Sequence, residues 1–148
     1  TPLKGAGFTL YKKDSTGTYN KVKEIAAGET TTFTFKGLNA GDYKLSETTT
    51  PAGYNTIADV EFTITADVDK TSDNPTLKTL TATSTSTNKL TFTANTTAGS
   101  LTTNVVNKKG SILPSTGSIG TTVLYLIGSF LVIGAGTLLV IRKRTNAQ

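Results

Sequence analysis

Between residues 5 and 107 the apolar side chains of this chain recur at every second position. The runs are short: Phe8 and Leu10; Phe33 and Phe35; Tyr43 and Leu45; Val60, Phe62 and Ile64; Leu90 and Phe92. Period two puts successive side chains on opposite faces, which is the pattern of a half-buried strand. Turn sequences separate the runs: Asp14-Ser15-Thr16-Gly17, Ala27-Gly28, Lys36-Gly37, Asn39-Ala40-Gly41-Asp42 and Pro51-Ala52-Gly53. Threonine is frequent, and its branched Cβ suits a pleated surface. No amphipathic helix of useful length interrupts the pattern.

Several short strands at this spacing predict an all-β chain with an immunoglobulin-like β-sandwich. Residues 66 to 104 are less regular. Thr81 to Thr87 is a run of small polar residues with few apolar anchors. It reads either as an exposed edge strand or as a mobile loop. Val105 and Val106 then resume a strand pattern.

The C-terminal quarter follows a different rule. Leu113-Pro114-Ser115-Thr116-Gly117 precedes 23 residues without a charge, Ile119 to Ile141, and Arg142-Lys143-Arg144 follows them. As a helix this span would cover roughly 34 Å at about 1.5 Å per residue, enough for a hydrocarbon core of about 30 Å. The basic triplet behind it predicts a cytoplasmic C-terminus. Pro114 biases Leu113 towards an extended conformation. Gly128, Gly134 and Gly136 need no dimerisation role, because glycine is common in membrane helices. The boundaries expected are a β domain over 1–109, a linker with the pentapeptide over 110–118, a transmembrane helix over 119–141 and a basic tail over 142–148.

Composition removes several function classes. The chain has 148 residues and a formal charge of +5. Three of those charges belong to Arg142, Lys143 and Arg144; the part before them carries 12 lysines and 10 acidic residues. That near balance, with no basic cluster interleaved with aromatics, argues against nucleic-acid binding. Histidine and cysteine are absent. Disulfides, Ser-His and Cys-His nucleophile systems and the usual metal ligands go with them. Asp67, Asp69, Thr71 and Asp73 have calcium-loop spacing, but the sixth position is not glycine and Lys78 stands where a bidentate glutamate belongs. No metal and no cofactor is expected. Asn95-Thr96-Thr97 has the form of a glycosylation sequon. Methionine is absent and no signal peptide is present, so a longer precursor is expected.

The order of pentapeptide, apolar span and basic tail resembles the L-P-x-T-G cell-wall sorting signal of Gram-positive surface proteins. The resemblance implies that a sortase cysteine cleaves between Thr116 and Gly117 and passes the Thr116 carbonyl to an amine. Upstream, Gly5-Ala6-Gly7-Phe8-Thr9-Leu10-Tyr11-Lys12, Phe35-Lys36-Gly37-Leu38, Gly41-Asp42-Tyr43-Lys44-Leu45-Ser46-Glu47-Thr48 and Pro51-Ala52-Gly53-Tyr54 resemble the collagen-adhesin B-type (CnaB-like) domain of Gram-positive pilins. The partners implied are a sortase, neighbouring pilin subunits, peptidoglycan, the membrane through 119–141 before cleavage, and host surface proteins.

Parity singles out two polar residues. Tyr43, Leu45 and Glu47 share one strand face, as do Val105 and Asn107. An inward Glu47 carboxyl would be pushed towards its protonated, hydrogen-donating form by desolvation. A surface carboxylate at Glu47 and a turn-forming Asn107 are the plainer alternatives. The resembling domains imply an isopeptide bond, in which a buried lysine attacks an asparagine carboxamide beside an acid. Glu47 matches the acid and Asn107 the asparagine. The lysine is expected on a strand ahead of Gly5, which this sequence lacks, with Lys12 a weaker alternative. The function expected is a structural subunit of a sortase-assembled surface pilus with a role in adhesion, not an enzyme. The alternative is a monomeric wall-anchored adhesin in which this domain is a stalk.

Overall fold

The computed structural model describes residues 2–69, 76–85, 89–110 and 119–128. Nine strands run through them: β1 (Gly7–Lys13), β2 (Tyr19–Ile25), β3 (Thr32–Leu38), β4 (Gly41–Thr49), β5 (Val60–Asp69), β6 (Thr76–Ser84), β7 (Thr93–Asn95), β8 (Ser100–Lys108) and β9 (Ile119–Gly128). They form two sheets, ordered β2-β1-β4-β5-β6 and β3-β9-β8-β7. The all-β sandwich is thus present.

The inward residues of each sheet meet in one core. Phe8 and Leu10 on β1, Tyr43 and Leu45 on β4, and Phe62 and Ile64 on β5 face Phe33, Phe35, Leu101 and Val105 of the second sheet. Phe8 meets Phe33 edge-on with ring centres 5.0 Å apart. Tyr43 stacks on Phe62 at 5.7 Å. Its hydroxyl donates to the Asn39 carbonyl at 2.6 Å, while burial pushes its pKa up. Each such side chain contributes about 1.5–3 kcal/mol through burial.

Bulges explain where the alternation breaks. Asp67 pairs with Thr79 and Val68 with Leu77, so Lys78 is the extra residue on β6. The bulge lets Leu77 and Leu80, three positions apart, both turn inward. Val22 is the extra residue opposite the Leu10/Tyr11 step of β1, and it is exposed. Thr81 to Ser84 belongs to β6, the edge strand of its sheet, so the edge-strand reading holds for those residues. Thr81 and Thr83 alternate outward and keep that edge polar. Asp67 and Asp69 lie in β5.

Only the first ten residues of the segment expected as a helix over 119–141 are described. Residues 119–128 form β9, parallel to β3 and antiparallel to β8. Thr121, Thr122, Val123 and Ile127 are β-branched, and Thr122, Leu124 and Leu126 turn inward on alternate positions. Between β3 and β8 this segment finds a backbone partner on both sides. Among the described residues no helix is long and apolar enough to cross a membrane. Residues 129–141, Arg142-Lys143-Arg144 and Leu113-Pro114-Ser115-Thr116-Gly117 lie outside the described residues.

The turn between β1 and β2 is built on Asp14. Its carboxylate accepts from the Thr16 hydroxyl at 2.6 Å, the Asn20 amide at 2.9 Å and the Thr16 and Thr18 backbone N–H groups. These donors, led by the Thr16 and Asn20 side chains, hold Asp14 well below the usual carboxylate range. A depressed folded value means that the turn's stabilisation is complete above the unfolded value of about 4. It is lost as pH falls through the lower folded value. Amide shifts of Thr16 and Thr18 in an acid titration should move below the range of ordinary surface carboxylates. In the core, Leu45→Ala should cost about 2–5 kcal/mol in urea unfolding, and Val22→Ala less than about 0.5 kcal/mol.

Candidate functional site

Strand parity delivers Glu47 and Asn107 to one place. β4 turns Tyr43, Leu45 and Glu47 inward, and β8 turns Leu101, Thr103, Val105 and Asn107 inward. Glu47 is 8% exposed and Asn107 is 0% exposed. Asn107 Nδ2 donates to both Glu47 oxygens at 2.9 Å and to the Asn55 carbonyl at 2.9 Å. The Ile57 backbone N–H donates to Glu47 Oε2 at 2.9 Å. Glu47 is the acceptor in each of these contacts. Asn107 Oδ1 is buried without a hydrogen-bond partner.

A turn closes the site from the side. Pro51-Ala52-Gly53-Tyr54 folds back with Tyr54 N–H on the Pro51 carbonyl at 3.1 Å. Gly53 takes φ 85°, a left-handed value that glycine adopts without strain. Asn55 N–H then donates to the Lys108 carbonyl at 2.9 Å, and Gly110 N–H to the Gly53 carbonyl at 2.8 Å. These bonds tie the 51–57 segment to the end of β8. They aim the Asn55 carbonyl and Ile57 N–H at the buried pair.

A profile of the SpaA prealbumin-like fold domain matches residues 1–79. The chain belongs to this SpaA family. A second profile, the LPXTG cell wall anchor motif, matches residues 105–147. The SpaA domain described here is therefore part of a pilin-like protein of the cell surface, processed by sortase and anchored to peptidoglycan. Both families are structural. No curated protein and no solved structure matches the chain.

Among the described residues the lysines of the SpaA domain sit elsewhere. Lys12 pairs in register with Tyr43, four positions from Glu47 along β4, or about 13 Å at about 3.3 Å per residue. Its amine lies 5.8 Å from the Tyr43 ring centre. That geometry removes Lys12 from the site. Lys4 pairs with Glu29 at 2.9 Å on the surface. Among the described residues no lysine bonds to Glu47 or Asn107. Sequence reasoning missed the roles of Asn55 and Ile57, which act through their backbones; the only signal was the adjoining Pro-Ala-Gly-Tyr turn. Among the described residues no group of ligating side chains could hold a metal.

Truncating Glu47 strands the buried Asn107 amide and the half-buried Ile57 N–H, at about 1–3 kcal/mol each. Glu47→Ala should lower stability by about 3 kcal/mol in urea unfolding. Glu47→Gln keeps one acceptor oxygen and should cost less.

Proposed function

We propose that the chain is a structural subunit of a sortase-assembled surface pilus. Sortase cleaves between Thr116 and Gly117, and the Thr116 carbonyl passes to an amine of the next subunit or of the wall. One observation favours a pilus over a monomeric adhesin stalk. β8 ends at Lys108 and the pentapeptide begins at Leu113, with no Pro- or Ser-rich spacer between them. A monomeric adhesin needs such a stretch to carry its domain across the wall.

The Glu47–Asn107 pair supports a second element of the same reading, an intramolecular amide. A neutral lysine amine would attack the Asn107 side-chain carbonyl carbon. The new C–N bond replaces the bond to Nδ2, and ammonia leaves with the protons that Glu47 helps transfer. No oxidant is needed. The product would brace a domain that has no cysteine. Burial favours the neutral amine by lowering its proton affinity.

Wall material released by muramidase, boiled in SDS and probed with antibody to residues 1–112, should give a ladder of high-mass species. The ladder should disappear with Thr116→Ala or on deletion of the pilin sortase. A single band near monomer mass would instead establish the adhesin stalk. Protein released from the wall should also weigh about 17 Da less than its sequence for each amide formed, the mass of the ammonia lost.

A further inference from the structure

Among the described residues the two sheets end on four strands: β2, β6, β3 and β7. An unpaired edge offers its N–H and C=O groups to any other strand, and charge, bulges or shortness blunt it. β2 carries Lys21, Lys23 and Glu24 and is bulged at Val22. β7 is three residues long. β3 carries Lys36, and its pairing is irregular between Phe35 and Leu38. β6 differs. From Thr79 to Thr85 no residue is charged and none is proline or glycine. Its register against β5 runs without a break from Asp67↔Thr79 to Phe62↔Ser84. Among the described residues its backbone pairs with β5 alone.

The register also tells which backbone groups are free. The Thr85 N–H donates to the Glu61 carbonyl at 2.8 Å. Thr83, Thr81 and Thr79 follow at two-residue steps, opposite Thr63, Thr65 and Asp67. In an antiparallel ladder bonded pairs alternate with non-bonded ones, so these odd-numbered residues turn their backbone groups towards β5. Those of Leu80, Ala82 and Ser84 point to the open edge. Leu80 is buried and Ala82 packs against the core, while Thr79, Thr81, Thr83 and Thr85 are exposed.

The stretch is symmetric about Ala82. A second copy laid antiparallel on this edge sets Ala82 opposite Ala82 and Leu80 opposite Ser84, all with free backbone groups. Thr81 then faces Thr83, and Thr79 faces Thr85. No like charges meet, and the facing threonines can exchange hydroxyl hydrogen bonds. The same overlay on β2 about Val22 would set Lys21 against Lys23 on both sides of the axis.

We propose that the β6 edge is a homophilic docking site, at which a second copy of this chain adds its own β6 antiparallel and the two five-stranded sheets become one. Strand direction reverses between the copies. Because the strands of a sandwich run roughly along one axis, the anchored ends of the two domains point in opposite directions, as they do on facing cells. The site requires only display at the surface, so it holds for a pilus subunit and for an adhesin stalk alike. One strand pair is a small contact, and copies repeated along a polymer add theirs to it.

Because the chain has no cysteine, single cysteines report the pairing. Thr81→Cys chain and Thr83→Cys chain, in excess mild detergent, are air-oxidised separately and as a mixture. Facing residues of a non-bonded pair have Cα atoms about 4.5 Å apart, inside the disulfide range of about 4.4–6.8 Å. The mixture should form the crossed disulfide between positions 81 and 83 at least about tenfold faster than either chain links to itself. Adding Ala82→Pro to both chains should remove that advantage, since it deletes an edge N–H and no bond to β5. Thr79→Lys/Thr85→Lys, on the solvent face, should do the same by setting like charges opposite each other. The lysine pair stays decisive even if proline disturbs β6. Equal rates in the mixture and the separate chains, or an advantage that survives the lysine pair, would overturn the homophilic edge.

Discussion

The backbone groups that line the channel between β3 and β8 are satisfied by β9, and the second sheet depends on that pairing. A buried N–H or C=O without a partner costs free energy comparable to a lost hydrogen bond. β9 meets this requirement on both of its edges over most of its length. It also closes the core over Phe33 and Phe35, whose first-sheet contacts would otherwise face water. Hydrophobic closure and backbone satisfaction are therefore met by one segment, and neither survives without a strand in that position.

The buried polar pair gives the same region its specificity. Glu47 and Asn107 come from opposite sheets, 60 residues apart in sequence. Apolar contacts between the sheets are tolerant of small slips, because they have no direction. A carboxylate that receives Asn107 Nδ2 and Ile57 N–H tolerates much less, since hydrogen bonds weaken steeply when misaligned. The pair therefore fixes how β4 sits against β8. Its cost is the unpartnered Asn107 oxygen. That orphaned acceptor makes the site incomplete as a purely structural network.

Much of this was legible where period two was clean. The parity of Tyr43, Leu45 and Glu47 on β4, and of Val105 and Asn107 on β8, places both polar residues inward from the sequence alone. Alternation failed at Lys78 and Val22, because a bulge adds one residue to one strand and nothing in the local sequence marks it. The Asn55 and Ile57 contacts were invisible for another reason: they use backbone atoms, which every residue type carries. β9 is not legible as a strand because an uninterrupted apolar run has no polar face to reveal its period. Its β-branched residues were the available hint. Lys12 shared the inward parity of Phe8 and Leu10, but parity does not report distance along the strand.

The direction of load gives the position of the pair its mechanical meaning. In the proposed pilus, tension enters the domain at Thr116 and reaches the sandwich first at the Lys108 end of β8. Asn107 is the next residue. The Gly110 N–H bond to the Gly53 carbonyl, the Asn55 N–H bond to the Lys108 carbonyl and then the Asn107 bonds to Glu47 and Asn55 are therefore the first described contacts that such a pull would test. Hydrogen bonds loaded one after another fail in sequence, whereas a covalent bond at the point of entry would shield every ladder bond behind it. An amide at Asn107 would stop β8 from peeling at its first residues. The same bond placed at Leu101 would leave most of the strand free to open. On this argument, the advantage of Asn107 lies less in equilibrium stability than in where along β8 it sits.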